Sequence, residues 1–342
     1  MRKLLILLLL LSTSLIAQQP QRVIVRAGDG PDENATKDWP KLQAPSESTD
    51  AARTKALGAY LDALASRDLF SGTVLLARGG KPLFLKSYGM ANKEWNVPNT
   101  NDTKYNLGSI NKFFTNIALK QLRDAGKLDF DKPVRAYLPD YPSEIADRIT
   151  LKQLMEHRSG MGDFFGPDYQ AMPKNRLRTL ADYLPLFASK PLLFEPGSQQ
   201  RYSNAGYIVL GLIIEKVSGV TYYGYVRDHI FKPAGMTSTD SYTPDEVVAR
   251  RATGYAQGRA NIYTLPGRGS SAGGGYSTAE DLLRLLQWMP KQDGLGIGGG
   301  APGINAAVEA AGEWQVIVLS NYSPPTAEEV GGNIRKMLGI GE

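Results

Sequence analysis

Tyr105-Asn106-Leu107-Gly108-Ser109-Ile110-Asn111-Lys112-Phe113-Phe114-Thr115 sets a serine and a lysine three residues apart at the head of an apolar segment. Ile110, Phe113, Phe114, Ile117 and Leu122 recur at helical spacing, which predicts a helix opened by Ser109 and ending near Gly126. A helix N-terminus presents N–H groups and a positive dipole end, both suited to a developing oxyanion. Lys112 follows Ser109 by one turn and shares its face. A serine hydroxyl is a poor nucleophile without a base. A lysine can be that base only where desolvation or positive neighbours pull its pKa down from about 10.4. Otherwise Lys112 is a solvated helix residue. Ser109 begins the sole Ser-x-x-Lys of the chain, and Tyr202-Ser203-Asn204 is the sole Tyr-x-Asn. Chance alone supplies on the order of one such match, so neither carries function by itself.

Outward from that helix, Gly72–Arg78 and Lys81–Tyr88 are β-rich runs on either side of Gly79-Gly80, a hairpin signal. Leu57, Tyr60, Leu61 and Leu64 follow helical spacing before them. Thr150 is placed to cap a short helix through His157, and Ala205–Ser218 is an apolar helix closed by Gly219. Ser277-Thr278-Ala279-Glu280 has the form of a capping box before Leu282–Trp288. Ile304–Ala310 and Glu313–Ser320 read as strands around Ala311-Gly312, followed by an amphipathic helix over Thr326–Leu338. Strands at both chain ends with helices between them predict one α+β domain: an antiparallel sheet flanked by helices, with a large helical insertion.

Composition narrows the chemistry. Of 342 residues, 42% are hydrophobic and 21% charged, ordinary values for a globular chain. With no cysteine there is no disulfide, thiolate metal site or cysteine nucleophile, and two histidines, His157 and His229, cannot form a multi-His metal centre. No metal or cofactor is expected. The net charge of +5 is scattered, with Arg250-Arg251 the longest basic cluster, which does not make a nucleic-acid footprint. Arg2 and Lys3 precede the apolar run Leu4–Leu11 and then Ser-Thr-Ser-Leu-Ile-Ala, which predicts a signal peptide over 1–17 cut after Ala17. Its apolar core falls short of the roughly 20 residues of a membrane span. Residues 18–50, polar and carrying Pro20, Pro31, Pro40 and Pro45, are predicted to be a flexible linker, and 51–342 the folded domain. The expectation is an exported protein, periplasmic or secreted, without a stable membrane span once the signal is removed.

Two further matches fail their context. Gly269-Ser270-Ser271-Ala272-Gly273 fits a G-x-S-x-G elbow, but both histidines precede Ser271 and that fold needs one after it. It is read as a loop. Gly294-Leu295-Gly296-Ile297-Gly298-Gly299 fits G-x-G-x-x-G with no strand before it or helix after it. His157 beside Glu156 and His229 beside Asp228 are read as structural, hydrogen-bonded histidines.

The stretch around Ser109 resembles the nucleophile segment of the serine β-lactamase-related family, which includes class C β-lactamases, D-Ala-D-Ala carboxypeptidases and β-lactamase-fold esterases. The resemblance continues in family order. It runs through Asp124-Ala125-Gly126-Lys127-Leu128, Tyr137-Leu138-Pro139, Ile149-Thr150-Leu151, His157-Arg158-Ser159-Gly160-Met161 and Phe194-Glu195-Pro196-Gly197. Tyr202-Ser203-Asn204, Pro233-Ala234-Gly235-Met236 and Ala272-Gly273-Gly274-Gly275-Tyr276-Ser277-Thr278 complete it, covering about Leu57 to Leu338. It implies the β-lactamase/transpeptidase-like fold and an acyl-enzyme at Ser109, activated by Lys112 and Tyr202. It also implies that Asn204 contacts the substrate or Lys112. The oxyanion site would come from the Ser109 N–H and the strand at Gly299 and Gly300, with the Gly300 N–H as its second donor.

The third family motif departs from the pattern. Where relatives carry Lys-Thr-Gly or His-x-Gly, this chain has Ile297-Gly298-Gly299-Gly300-Ala301-Pro302-Gly303, and only 289–293 separate the Trp288 helix from Gly294. The lost side chain normally helps bind a substrate carboxylate. A charge-assisted hydrogen bond contributes roughly 1.5–3 kcal/mol, so its loss costs about 10- to 150-fold. The expectation is an exported serine hydrolase acting on an ester or amide of a small molecule or peptide, an esterase or peptidase more than a β-lactamase. The alternative is a catalytically weak or inactive member that keeps the cleft for binding.

Overall fold

The computed structural model describes residues 36–290 and 294–340. The predicted signal segment, residues 18–35 of the predicted linker and 291–293 of the short link lie outside the described residues. Five strands form one antiparallel sheet: β1 (Gly72–Arg78), β2 (Lys81–Tyr88), β3 (Leu295–Ala301), β4 (Ile304–Ala311) and β5 (Trp314–Ser320), in the order β2-β1-β5-β4-β3. The first hairpin pairs with the last strand, Gly72 opposite Ser320 through Arg78 opposite Trp314. Chain ends far apart in sequence thus share one sheet.

Alternation along the strands assigns each residue to a face. Leu75, Ala77, Val308, Ile317 and Leu319 enter the larger core, shared with the helices of the insertion. Val74, Leu76, Val316 and Val318 point the other way, into a smaller core under α1 (Asp50–Ser66) and the C-terminal α6 (Thr326–Leu338). Trp39 and Leu42, within the stretch predicted as linker, also pack against this smaller core. Thr49 caps α1, accepting from Ala52 N at 3.1 Å.

The insertion contains α2 (Asn111–Asp124), α3 (Leu151–Met155), α4 (Asn204–Ser218) and α5 (Ala279–Trp288). Helix α2 runs through its middle, with Phe114, Ala118, Leu119 and Leu122 buried. Burial of side chains the size of Phe114 or Leu119 stabilises by about 1.5–3 kcal/mol each. Helix α4 begins at Asn204 with Ser203 as its cap and ends at left-handed Gly219. The predicted capping box at Ser277 is corrected by one residue. Thr278 is the cap of α5, accepting from Asp281 N, while the Ser277 hydroxyl bonds Thr239. Among the described residues no single helix is long and apolar enough to cross a membrane, and no group of three or more His, Asp or Glu is placed to hold a metal.

Candidate active site

Ser109 sits in a short 3-10 turn, Gly108–Ile110, that leads directly into α2. Two features of local sequence hold it there. Gly108 has φ +52°, and a Cβ at that position would come within 2.8 Å of the Gly300 amide nitrogen. Tyr105–Asn106 pairs with Tyr276–Ser277, and the Tyr105 hydroxyl meets Thr73 of β1 at 2.9 Å, tying the approach to the sheet. The late glycine run packs on the same turn: Leu107 N donates to Gly275 O at 2.7 Å and Gly274 N to Gly108 O at 3.1 Å.

Ser109 Oγ lies 2.7 Å from the Tyr202 hydroxyl and 3.3 Å from Lys112 Nζ. Lys112 is 2% exposed. Its ammonium also donates to Asn204 Oδ1 at 2.7 Å and to the carbonyl of Ala272, so each of its three donors has an acceptor. Burial pulls the Lys112 pKa down to about 7, against the opposing pull of the Asp163 charge. Burial raises the Tyr202 phenol well above its ordinary value of 10, partly offset by the bond to Ser109. The cluster therefore holds a lysine able to be neutral near pH 7 and a tyrosine that keeps its proton.

Each supporting contact has a local origin. His157, at φ +57° just past the capped helix α3, takes Arg201 N on its carbonyl at 2.8 Å and Ser203 N on Nδ1 at 3.2 Å. Its ring stacks on Tyr202 with centroids 4.5 Å apart. His157 thus holds the chain on both sides of Tyr202, through its backbone carbonyl before it and its imidazole after it, and the ring backs the tyrosine. Burial and the nearby Lys112 charge lower the His157 pKa to about 3. The expected structural histidine is confirmed with one correction: with Nδ1 accepting, the proton resides on Nε2, which has no partner among the described residues. Ser271, in the discarded elbow motif, is fully buried and donates to Tyr207 O at 2.8 Å. Thr115 and Asn111 of α2 donate to the carbonyls of Ser271 and Ser270, which carries the Ala272 carbonyl to Lys112.

The facing wall is the edge strand β3. A Cβ on Gly299 would collide with Leu107 O and lie 2.8 Å from Ser109 N, so only glycine allows the strand this close. The Gly299 carbonyl accepts from Asn305 Nδ2 at 3.2 Å, and Asn305 Oδ1 accepts from Ala327 N at 2.5 Å at the start of α6. A trans peptide holds its C=O and N–H on opposite sides. With the carbonyl turned to Asn305 on β4, the Gly300 N–H points away from β4, past the sheet edge. Ile297 stands opposite Val308 and packs against the larger core, giving this wall an apolar side chain.

All the predicted residues, Ser109, Lys112, Tyr202, Asn204, Gly299 and Gly300, therefore meet at one cleft. Sequence reading missed three participants. The Ala272 carbonyl is invisible to motifs, since every residue has one. Asn305 lies on a strand read only for its apolar pattern. Asp163, which accepts from Asn204 N at 3.1 Å and Asn204 Nδ2 at 2.7 Å, follows a recognised stretch but has no periodic or paired signal of its own.

The family model described as Beta-lactamase matches residues 52–302. A penicillin-binding protein of Bacillus subtilis strain 168 is 31% identical over 220 residues, 63% of this chain and 48% of that relative. A β-lactamase of Yersinia enterocolitica is 28% identical over 61% of this chain and 52% of its own length. The chain spans about half the length of these curated relatives. The crystal structure of a penicillin-binding protein from Bacillus halodurans superimposes with TM-score 0.73 and 32% identity, covering 81% of this chain and 98% of that one. The match of fold and of most of the chain's length leads to one conclusion: the chain belongs to the β-lactamase family, with penicillin-binding proteins and a β-lactamase among its relatives.

Proposed function

We propose that this protein is an exported serine hydrolase that forms an acyl-enzyme at Ser109 from an ester or amide, with neutral esters or peptides favoured over β-lactams. The observation that carries the reading is Ser109 Oγ held between Tyr202 and a fully buried Lys112. Neutral Lys112 takes the Ser109 proton as Oγ bonds to the substrate carbonyl carbon. The carbonyl π electrons move onto oxygen, facing the N–H groups of Ser109 and Gly300. On collapse, the bond to the leaving group breaks and the proton reaches that group through Tyr202, hydrogen-bonded to the same serine oxygen. Water then adds to the acyl carbon by the reverse proton path, releasing the acid and restoring Ser109.

Ile297 supports the choice of substrate. An isoleucine cannot donate to a carboxylate beside the scissile bond, which penicillins and D-Ala-D-Ala peptides carry. The same observation favours a second reading, a member that binds in this cleft and turns over weakly. Covalent labelling by a fluorophosphonate, read by intact mass, separates the two. One adduct on the wild type, absent in Ser109→Ala, supports the hydrolase. No adduct, with the fold intact, leaves the binding protein, and an adduct mapping to Ser271 overturns the assigned nucleophile. The N-terminus of the mature protein, expected at Gln18, tests export.

A further inference from the structure

The proposed nucleophile, base and relay leave one charged neighbour without a part. Asp163 lies in a loop between α3 and α4, in no helix or strand. One carboxylate oxygen, Oδ2, takes both the backbone N–H and the side-chain Nδ2 of Asn204, and the other accepts from Phe165 N at 3.3 Å. With Nδ2 committed, the Asn204 amide can turn only its oxygen toward Lys112, where it accepts at 2.7 Å. A flipped amide would lose both side-chain bonds and set donor against donor at the lysine.

We propose that Asp163 is a positioning residue for acyl transfer: through its two bonds to Asn204 it locks that amide in the one orientation that accepts from Lys112, and it sets a carboxylate charge beside the Lys112–Asn204 pair. The inference rests on the reading of Lys112 as the base. The groups that face Lys112 are few. From the turn before α2 comes Ser109. From the segment leading into α4 comes the Tyr202 ring at 4.7 Å, and from α4 itself come Asn204 and the Tyr207 ring at 5.4 Å. The loop at 270–275 contributes a carbonyl, and His157 behind the tyrosines is held neutral. Among the described residues, Asp163 is the carboxylate whose charge acts on Lys112, opposing the burial that strips its proton. The acid limb of activity therefore lies higher in pH than burial alone would place it.

Two variants separate the hydrogen bond from the charge. Asp163→Asn keeps an oxygen for Asn204 but removes the charge, whereas Asp163→Ala removes both. Two readouts are taken on each: kcat/KM for p-nitrophenyl acetate from pH 5 to 9, and titration of the Lys112 side chain by NMR, assigned by its absence in Lys112→Ala. In Asp163→Asn the acid limb and the Lys112 titration are expected to move together to lower pH by about one unit, the low end for an opposite charge a few ångströms away. Activity below the limb then rises about tenfold relative to the plateau. Asp163→Ala is expected to show the same shift and, in addition, a plateau lowered about tenfold as Asn204 comes loose. A structural role alone would lower the plateau without moving either titration. An Asp163→Asn protein whose Lys112 titration matches the wild type overturns the proposal. Should the wild type form no acyl-enzyme, the hydrolase reading falls, and the NMR titration still decides the part of Asp163.

Discussion

The two walls of the cleft are built on opposite principles. The helical wall is made of side chains: Ser109, Lys112, Tyr202 and Asn204 form one hydrogen-bonded chain, and burial lowers the pKa of the lysine. The strand wall works through the lack of side chains: Gly299 brings the β3 backbone against Leu107 and Ser109, and Gly300 offers a peptide N–H. A side-chain wall is lost by deleting atoms, and a backbone wall by adding them. The comparison also locates the specialisation of this member. By the resemblance the helical wall is complete, whereas the strand wall keeps the backbone and has Ile297 where the family motif carries lysine or histidine.

The largest effect is expected on the helical wall. Ser109→Ala should abolish covalent labelling, and Lys112→Ala should lower kcat/KM for a neutral ester by about 10³-fold, within the range for a positioned base. Thermal unfolding close to the wild type would show that the fold survives. A Lys112→Ala enzyme within tenfold of the wild type would break the contrast, since the base would then lie elsewhere.

On the strand wall a single methyl group should approach that loss. Gly299→Ala forces the Leu107 carbonyl and the Ser109 turn apart and is expected to cost about 100-fold in kcat, the worth of one oxyanion donor. Overpacking should also cost about 1–3 kcal/mol of stability. Gly298→Ala is the matched control: its Cβ would have 3.6 Å to the nearest atom, Ala306 O, and activity should hardly change. Equal losses at both positions would mean that general strand strain, and not the approach to Ser109, sets the requirement.

Ile297→Lys or Ile297→His should sharpen the difference between the walls by restoring a donor. The expected gain on substrates with a carboxylate beside the scissile bond is at most about 10- to 150-fold, one charged hydrogen bond. Neutral esters should gain little. Efficient penicillin hydrolysis by the wild type would show that the donor comes from another residue and would remove the preference for neutral substrates.

The smallest effect is the pH dependence near neutrality. Burial lowers the Lys112 pKa from 10.5 to about 7, and the base form is the deprotonated one, so kcat/KM should rise with pH through about 7 and level above it. Moving from pH 8.5 to pH 7 should cost only about twofold, with a steeper fall below. A flat profile from pH 6 to 9 would count against proton transfer to a buried lysine.

The ends of the helices and most strands were legible because they depend on near neighbours in the chain. Gly219 closes α4 and Thr150 caps α3 as read, while the cap of α5 moved from Ser277 to Thr278 because Ser277 finds Thr239 across the structure. The contributing side chains Ser109, Lys112, Tyr202 and Asn204 were legible as ordered motifs. Asp163 was not, because its partner Asn204 is 41 residues away and an isolated aspartate in a loop resembles any solvated one.

The sequence by itself determined the α+β pattern, the residue types of the site and the apolar side chain at Ile297, since each is a matter of local spacing or of which atoms a side chain carries. Only the tertiary structure decided that Lys112 is dry and ringed by acceptors, that His157 grips Tyr202, and that Asn305 turns the Gly299 peptide so that the Gly300 N–H leaves the sheet edge. The reason is physical: proton affinity and peptide orientation are set by what surrounds a group in space. Those surroundings are assembled from segments that the chain order keeps far apart.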